Sequence, residues 1–416
     1  MTADVRECHY TTFAGVCKAQ KRAKIGKRSM KICFIACEYN PLHSGHVYQL
    51  SRARSESGAD AVVCVMSGNA VQRGELAVAE KYARAEWAIR AGADLVVESD
   101  AAYATASAQG FACGVIRAAS AFECERSLLF GTENGDLQAL VRIANLLTEE
   151  PPLLQKFLKE HLDAGIGYAA ALHRAADAYA RSQGWEQNAC DALRNPNEIL
   201  AIEYLREIRR QNAQIRPIAM RRIGDGYASD AARGEHASAS ALRQAHIREN
   251  QAVLQRYLPD YVLRTLPPPI SQYALGALVR YAVGRCKDMH AVSGIKEGLD
   301  RRIARACRQS ADYPSLVRAI GTSRYSDATV RRALLAILSD NRIDARQLLD
   351  RIPDHLNILA VRENKRDLLA LVRIPIATTA TRQARYAQAA RTVAIDNVYR
   401  ALAPVGKQQM RVIRID

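Results

Sequence analysis

The sequence has no run of apolar residues approaching the roughly 18 to 20 that a membrane helix needs, which excludes a helical membrane protein. Its basic N-terminus lacks an adjoining apolar stretch of signal-peptide length. It also lacks paired cysteines. Ten thiols (Cys8, Cys17, Cys33, Cys37, Cys64, Cys113, Cys124, Cys190, Cys286 and Cys307) form no C-x-x-C pair and keep no regular spacing. A disulfide framework is thereby disfavoured, and scattered buried thiols in a reducing cytoplasm are expected. Aromatic residues make up only 6% of the chain, while alanine and leucine are plentiful, so helix should dominate and strands should be few. Internal repeats and low-complexity tracts are absent too, which removes solenoids and fibrous classes.

What is present suffices for a large globular protein. With 416 residues and 49% apolar content, two or three domains with true cores are expected. The net charge of +16 is unevenly spread: residues 1–29 carry 7 basic and 2 acidic side chains, residues 30–245 carry 23 and 26, and residues 246–416 carry 29 and 15. A positive excess in the C-terminal part fits a polyanion-binding domain attached to a near-neutral body, although a basic, solvated helical surface would have the same composition.

Residues 1–29 show no apolar period and end in a basic cluster, so a disordered basic extension is expected, with Met30 an equally good start of the folded chain. Short, continuously apolar runs follow at 31–38, 61–68, 94–99 and 127–133, with a fifth at 214–224. Helical patterns lie between them at about 46–57, 79–92, 106–121, 136–148 and 198–211. Strands that read as uninterrupted apolar runs are buried on both faces, and their alternation with helices implies right-handed crossovers. The fold class expected is α/β: a Rossmann-like doubly wound parallel sheet over residues 30–245, followed by an all-α C-terminal domain over 246–416.

In such a sheet, ligands bind beyond the carboxyl ends of the strands, and the first strand-to-helix turn commonly holds phosphate. That turn is "EYNPLHSGHVYQL", Glu38 to Leu50. Pro41 biases Asn40 away from helical geometry, and Gly45 permits close backbone approach. His43 and His46 then stand near a helix N-terminus, where imidazoles can donate to a nucleotide phosphate and to the charge that grows as pyrophosphate departs. A loop pair making ordinary hydrogen bonds fits the spacing as well. Zinc is disfavoured because no Cys or Asp cluster accompanies the pair, and no protein metal site is expected.

His43-Ser44-Gly45-His46 after the first strand resembles the H-x-G-H signature of the nucleotidyltransferase superfamily, which includes the class I aminoacyl-tRNA synthetases. The flanking stretches "VMSGNAVQRGELAVAEKYARAEWAIRAGADLVVE", "YATASAQGFACG", "LLFGTENGD", "NPNEILAIEYL" and "RRIGDGY" are more specific. Together they resemble the bacterial tRNA(Met) cytidine acetate ligases over residues 30–245, and more weakly at 322–338 and 395–402. The resemblance implies an ATP-dependent ligase. Acetate attacks the α-phosphate of ATP, and the resulting acetyl-adenylate acetylates N4 of the wobble cytidine of elongator tRNA(Met). It implies ATP and acetate as substrates, with magnesium accompanying ATP, and His43 and His46 as the catalytic residues. The ATP site would be formed by the loop Ala36, Cys37, Glu38, Tyr39, Asn40, Pro41, Leu42, His43, Ser44, Gly45, His46, Val47, Tyr48 and Gln49, with Gly131, Asn197, Arg221 and Arg222.

Each of these also reads in simpler ways: Gly131 as a turn glycine, Asn197 as a helix N-cap, Arg221 and Arg222 as a solvated pair. Ser238 or Ser240 could cap a helix that turns Arg243 toward the triphosphate, as the second signature of other nucleotidyltransferases does. Of Gln72, Arg73, Lys81 and Arg84, the first two sit in a polar loop at the active edge, and Arg73 is the best candidate for a phosphate or RNA contact. Lys81 and Arg84 share a helical face and equally suit surface pairing with Glu80 or Glu86.

Two features depart from the family pattern: no proline near Asp100, and Pro-Leu-His-Ser-Gly-His in place of the commoner Pro-Phe-His-Asn-Gly-His. The competing readings are a cofactor adenylyltransferase, usually a much shorter protein, and an RNA-binding protein without catalysis. A class I synthetase is disfavoured because no KMSKS-like stretch occurs. The charge split predicts RNA affinity that falls steeply with added salt as phosphate neutralisation releases counterions. Titrating tRNA binding between 50 and 200 mM salt checks this, and a flat response contradicts it.

Overall fold

The computed structural model describes residues 29–186, 189–222, 237–296, 298–322, 324–403 and 412–415. All but Ser29 of the expected basic extension lies outside the described residues, as does the end of the fifth apolar run from Ile223. Contacts divide the chain after Met30, and Lys31–Asp416 forms one compact unit.

The five expected strands form where the apolar runs lie: β1 (Lys31–Cys37), β2 (Ala61–Ser67), β3 (Leu95–Ser99), β4 (Glu125–Thr132) and β5 (Ile215–Arg221). They pair in parallel in the order β5-β4-β1-β2-β3. Between them run α1 (Ser44–Ser57), α2 (Lys81–Arg90), α3 (Ala108–Ser120), α4 (Leu137–Glu149), α5 (Pro152–Asp163), α6 (Tyr168–Ser182) and α7 (Pro196–Arg210). Every residue of β2 and β3 is buried, because helices cover both faces of the sheet. Cys33, Ile35, Val62, Cys64 and Met66 meet Leu50 of α1 and Tyr82, Ala85 and Trp87 of α2 in one core. Beyond β5 follow α8 (Ala239–Ile247) and α9 (Gln251–Tyr257), then α10 (Gln272–Arg285), α11 (Leu299–Gln309), α12 (Tyr313–Ile320) and α13 (Asp327–Leu338). The last four enclose a separate core of Val279, Leu299, Ile303, Leu316, Ile320, Val330 and Leu334.

The sheet also recruits chain from the region read as wholly helical. β6 (Leu356–Arg362) pairs antiparallel with β3, and β7 (Ile376–Ala377) and β8 (Ile413–Ile415) pair in parallel with β6. β7 and β8 are too short to carry a pattern of their own. The apolar run of β6 is broken by Asn357, whose side chain donates to Glu98 at 2.5 Å. α14 (Ala390–Leu402) returns to the same corner.

There it places Asp396 against Lys81. Lys81 is buried, not a surface or phosphate-binding residue: its ammonium donates to Glu98 at 2.9 and 3.0 Å and to Asp396 at 2.6 Å. Burial alone would push the lysine pKa down, but Glu98 and then Asp396 outweigh it and hold the ammonium charged. Asn69 donates to Asp396 as well, at 2.9 Å, tying the loop after β2 to α14. Removing the cation leaves two buried carboxylates facing one another. Lys81→Met is therefore expected to cost about 3 to 5 kcal/mol in denaturant unfolding, with partial recovery when Glu98→Gln and Asp396→Asn are added. An unchanged midpoint for the single variant would contradict the arrangement.

Candidate active site

The turn after β1 is built by its own side chains. Tyr39 adopts left-handed backbone (φ 46°), held by a buried ring whose hydroxyl lies 3.3 Å from Cys64 Sγ, and the Asn40–Pro41 peptide is cis. His43 is extended and stands at the N-cap of α1, a position where a side-chain acceptor is needed for the free N–H groups of the first turn. Its Nδ1 accepts the Gly45 N–H at 3.1 Å, and its own N–H donates to His46 Nδ1 at 3.4 Å. This is a capping box made of two imidazoles. The rings lie 3.8 Å apart at 30°.

With Nδ1 accepting in both, each neutral ring carries its proton on Nε2 and presents an N–H donor. Burial, reinforced by the charge of Arg222, lowers the His46 pKa to about 3. The pair therefore offers two oriented donors without a proton that would need to be shed.

These residues line a cleft of about 370 Å3, within the usual range of small-molecule sites. It opens at the carboxyl ends of β1 and β4, the adjacent strands from which the strand order runs in opposite directions. Ala36, Cys37, Glu38, Tyr39 and Asn40 form its base, and His43, His46 and Gln49 one side. Gly131, Asn197 and Arg222 form another, and Gln72, Arg73, Ser238, Ala239, Ser240 and Arg243 the rim. Three arginines against one glutamate favour a polyanionic ligand. Asn40 Nδ2 is buried on this wall with no hydrogen-bond partner among the described residues.

Most expected site residues thus converge. Pro41, Leu42, Ser44, Gly45, Val47 and Tyr48 are not among the lining residues; Pro41 and Leu42 are buried behind it, and the Gly45 N–H is taken by His43. Arg222 faces the cleft, whereas Arg221, the preceding residue on β5, does not line it. Asn197 is not the N-cap of α7, a position held by Asn195; its amide donates to Glu133 Oε1 at 2.6 Å, and the same oxygen lies 4.0 Å from Arg222 Nε. At Gly131 a Cβ would meet the Arg222 stem at 3.2 Å, so the missing side chain gives that arginine its place. Ser238, not Ser240, caps α8, accepting from the Ala241 N–H at 3.1 Å.

An apolar wall of Phe111, Phe130, Leu200 and Tyr204 went unread in the sequence, because each looks like ordinary core of its own strand or helix. Phe130 and Tyr204 pack with ring centres 5.7 Å apart.

Behind the lining, charged side chains hold the loops. Arg84 is fully buried and donates to the carbonyls of Ala79 (2.8 Å), Glu38 (2.6 Å), Ser67 (3.0 Å) and Gly68, so it braces the ends of β1 and β2 and leaves no surface for phosphate or RNA. Glu38 accepts the Gln72 N–H at 2.7 Å, and burial pushes its carboxyl up against that bond and the nearby arginines. Arg243 donates to the Asn40 carbonyl at 3.0 Å and lies 3.5 Å from Glu75, which also pairs with Arg331 of α13 at 2.9 Å. Gly74 (φ 74°) lies so close to α13 that a Cβ would come within 2.4 Å of the Arg332 nitrogen.

The chain matches the family model HIGH Nucleotidyl Transferase over residues 30–412. It is 32% identical over 362 residues to the tRNA(Met) cytidine acetate ligase of Thermoanaerobacter sp. (strain X514), covering 84% of this chain and 88% of that protein. It is 34% identical over 363 residues to the enzyme of the same name from Acetivibrio thermocellus, covering 83% and 86%. Among solved structures it resembles Thermotoga maritima TmcAL in the apo form, with TM-score 0.84, 28% identity and coverage of 93% of this chain and 100% of that one. The same protein bound with alpha-thio ATP matches with TM-score 0.81 and 27% identity, at the same coverage.

A histidine held neutral by its surroundings should not titrate near its ordinary value. In the ligand-free protein the His46 ring is expected to keep its neutral NMR shifts down to pH 5. Because the unfolded chain takes up a proton there near pH 6.5 and the folded chain does not, His46 should weaken the fold as pH drops below 6.5. A His46 titration midpoint between pH 6 and 7 would contradict the assigned hydrogen bonds.

Proposed function

The chain belongs to the HIGH nucleotidyl transferase family and, within it, to the tRNA(Met) cytidine acetate ligases; from that premise we propose how its residues carry out the ligase reaction. The observation that carries the reading is the imidazole capping box on the cleft at the sheet's switch point. ATP enters as the magnesium salt, with magnesium as the nucleotide's counter-ion. The adenine lies against Phe130 and the apolar wall beside Gly131, and the triphosphate crosses the start of α1 toward Arg222, Arg243 and Arg73.

An acetate oxygen attacks the α-phosphorus, the bond to the bridging oxygen of the β-phosphate breaks, and pyrophosphate leaves with that electron pair. The Nε2–H groups of His43 and His46 donate to the phosphate oxygens on which charge builds. Because Nδ1 of each ring is committed to backbone, the donors are in place before substrate arrives, so little reorganisation accompanies the step. In the second step N4 of the target cytidine attacks the acetyl carbonyl, AMP departs, and the amine loses a proton.

Residues 30–245 supply the ATP chemistry in this proposal, and residues 246–416 bring the RNA, elongator tRNA(Met). No helix of the described residues is long and apolar enough to cross a membrane, and action in the cytoplasm, where the tRNA is found, follows from the substrate.

Incubation with ATP, labelled acetate and tRNA(Met), followed by digestion to nucleosides, is expected to yield labelled N4-acetylcytidine. His46→Ala should reduce acetyl-adenylate formation by on the order of 100-fold or more while tRNA affinity holds. Absence of N4-acetylcytidine in the unaltered protein overturns the assignment, and acetate-independent adenylylation of a small molecule would place the chain with the cofactor enzymes. Equal loss of both properties in His46→Ala would mean a folding role.

A further inference from the structure

A second cleft, of about 1040 Å3, lies on the other side of α3. Ala108 and Phe111 line the ATP cleft, whereas Ser107, Gln109 and Gly110 line the second, so the first turns of α3 are a wall common to both. A helix is about 10 Å across, which is the reach of a single nucleotide turned over the helix end. The far walls come from the loop between α5 and α6 and from the helical core of α10–α13.

Its charges are mostly positive. Lys296, Arg324, Arg332 and Arg342 face a single carboxylate, Asp344. Arg342 is paired with Asp340 at 2.8 Å. Lys296 and Arg324 are exposed and form no salt bridge among the described residues, and Arg332 has no carboxylate partner there either, its guanidinium donating to Thr329 Oγ1 at 3.3 Å. Tyr168, 62% exposed, stands on the rim. Cations without carboxylate partners along a groove, with an aromatic face available for stacking, are what binds single-stranded nucleic acid. Leu162 and Ile166 add apolar side chains to the lining, which suit the faces of unstacked bases better than the phosphate-lined exterior of a duplex.

We propose that this cleft holds the unpaired loop of the RNA substrate. Lys296, Arg324 and Arg332 meet its phosphates and Tyr168 one of its bases, while the target cytidine turns over the start of α3 into the ATP cleft. The proposal rests on the acetate ligase reading for the identity of the RNA. It explains why the ATP-site loop is locked to α13: the contact at Gly74 and the Glu75–Arg331 pair keep the two clefts in register.

The test uses the full chain and fluorescently labelled elongator tRNA(Met), with affinity read by anisotropy across a salt series. The pair Lys296→Glu and Arg324→Glu is expected to weaken binding at least tenfold and to make the log-affinity against log-salt slope shallower by about two. Lys296→Arg with Arg324→Lys should restore both, and Arg248→Glu with Arg256→Glu, outside the cleft, should leave affinity within twofold. An unaltered unfolding midpoint in the charge-reversed pair excludes misfolding as the cause. Binding within twofold of the unaltered protein in that pair, or loss of binding in the charge-conserving pair, overturns the cleft assignment. If the unaltered protein binds tRNA without forming N4-acetylcytidine, the ligase reading fails and the cleft is judged by the affinities alone.

Discussion

Two imidazoles accept backbone N–H groups at the start of α1, and the geometry of the cleft wall depends on that exchange. An acceptor role for Nδ1 settles where each ring keeps its proton, so the outward nitrogen is a donor. It also satisfies N–H groups that a helix start would otherwise leave open. A serine or aspartate could cap the helix equally well, but neither could at the same time present an N–H to a phosphate. The helix cap and the outward N–H donors are therefore one device, and positioning one positions the other.

The rest of the site keeps that device still. Arg84 draws together the carbonyls at the ends of β1 and β2, and Glu38 fastens the next loop to the first. Arg84 is fully buried, which is tolerable only because it donates to four carbonyls, and Glu38 is half-buried with the charges of Arg243 and Arg84 nearby. Glu75 extends the linkage outward, between Arg243 at the rim of the cleft and Arg331 on α13. The helical core that carries much of the positive charge is thus packed against the loop that borders the first cleft, not joined to it by a free linker.

The architecture was largely legible because its parallel strands are buried on both faces and read as continuous apolar runs. The turn that borders the cleft was legible because H-x-G-H follows the first of them. What resisted reading has a common cause. β7 and β8 form only because β6 offers them an edge, and β6 itself carries a polar residue whose partner is distant in sequence. Lys81 and Arg84 share a face of α2 and look suited to surface pairing with Glu80 or Glu86, yet their partners come from β3, α14 and the ends of two strands. Likewise, Phe130 and Tyr204 give no sign of lining a cleft until β4 and α7 are set side by side.

The sequence by itself determined the doubly wound sheet, the capping histidines and the segregation of positive charge toward the C-terminus. These follow from local periodicity, from residues within four positions of one another and from composition. Tertiary structure alone decided which of two neighbouring arginines meets the cleft and which charges are buried. It also decided how the helical core sits on the loop after β2. Those outcomes depend on contacts between residues tens to hundreds of positions apart, where desolvation and hydrogen-bond geometry choose among side chains that composition leaves equivalent.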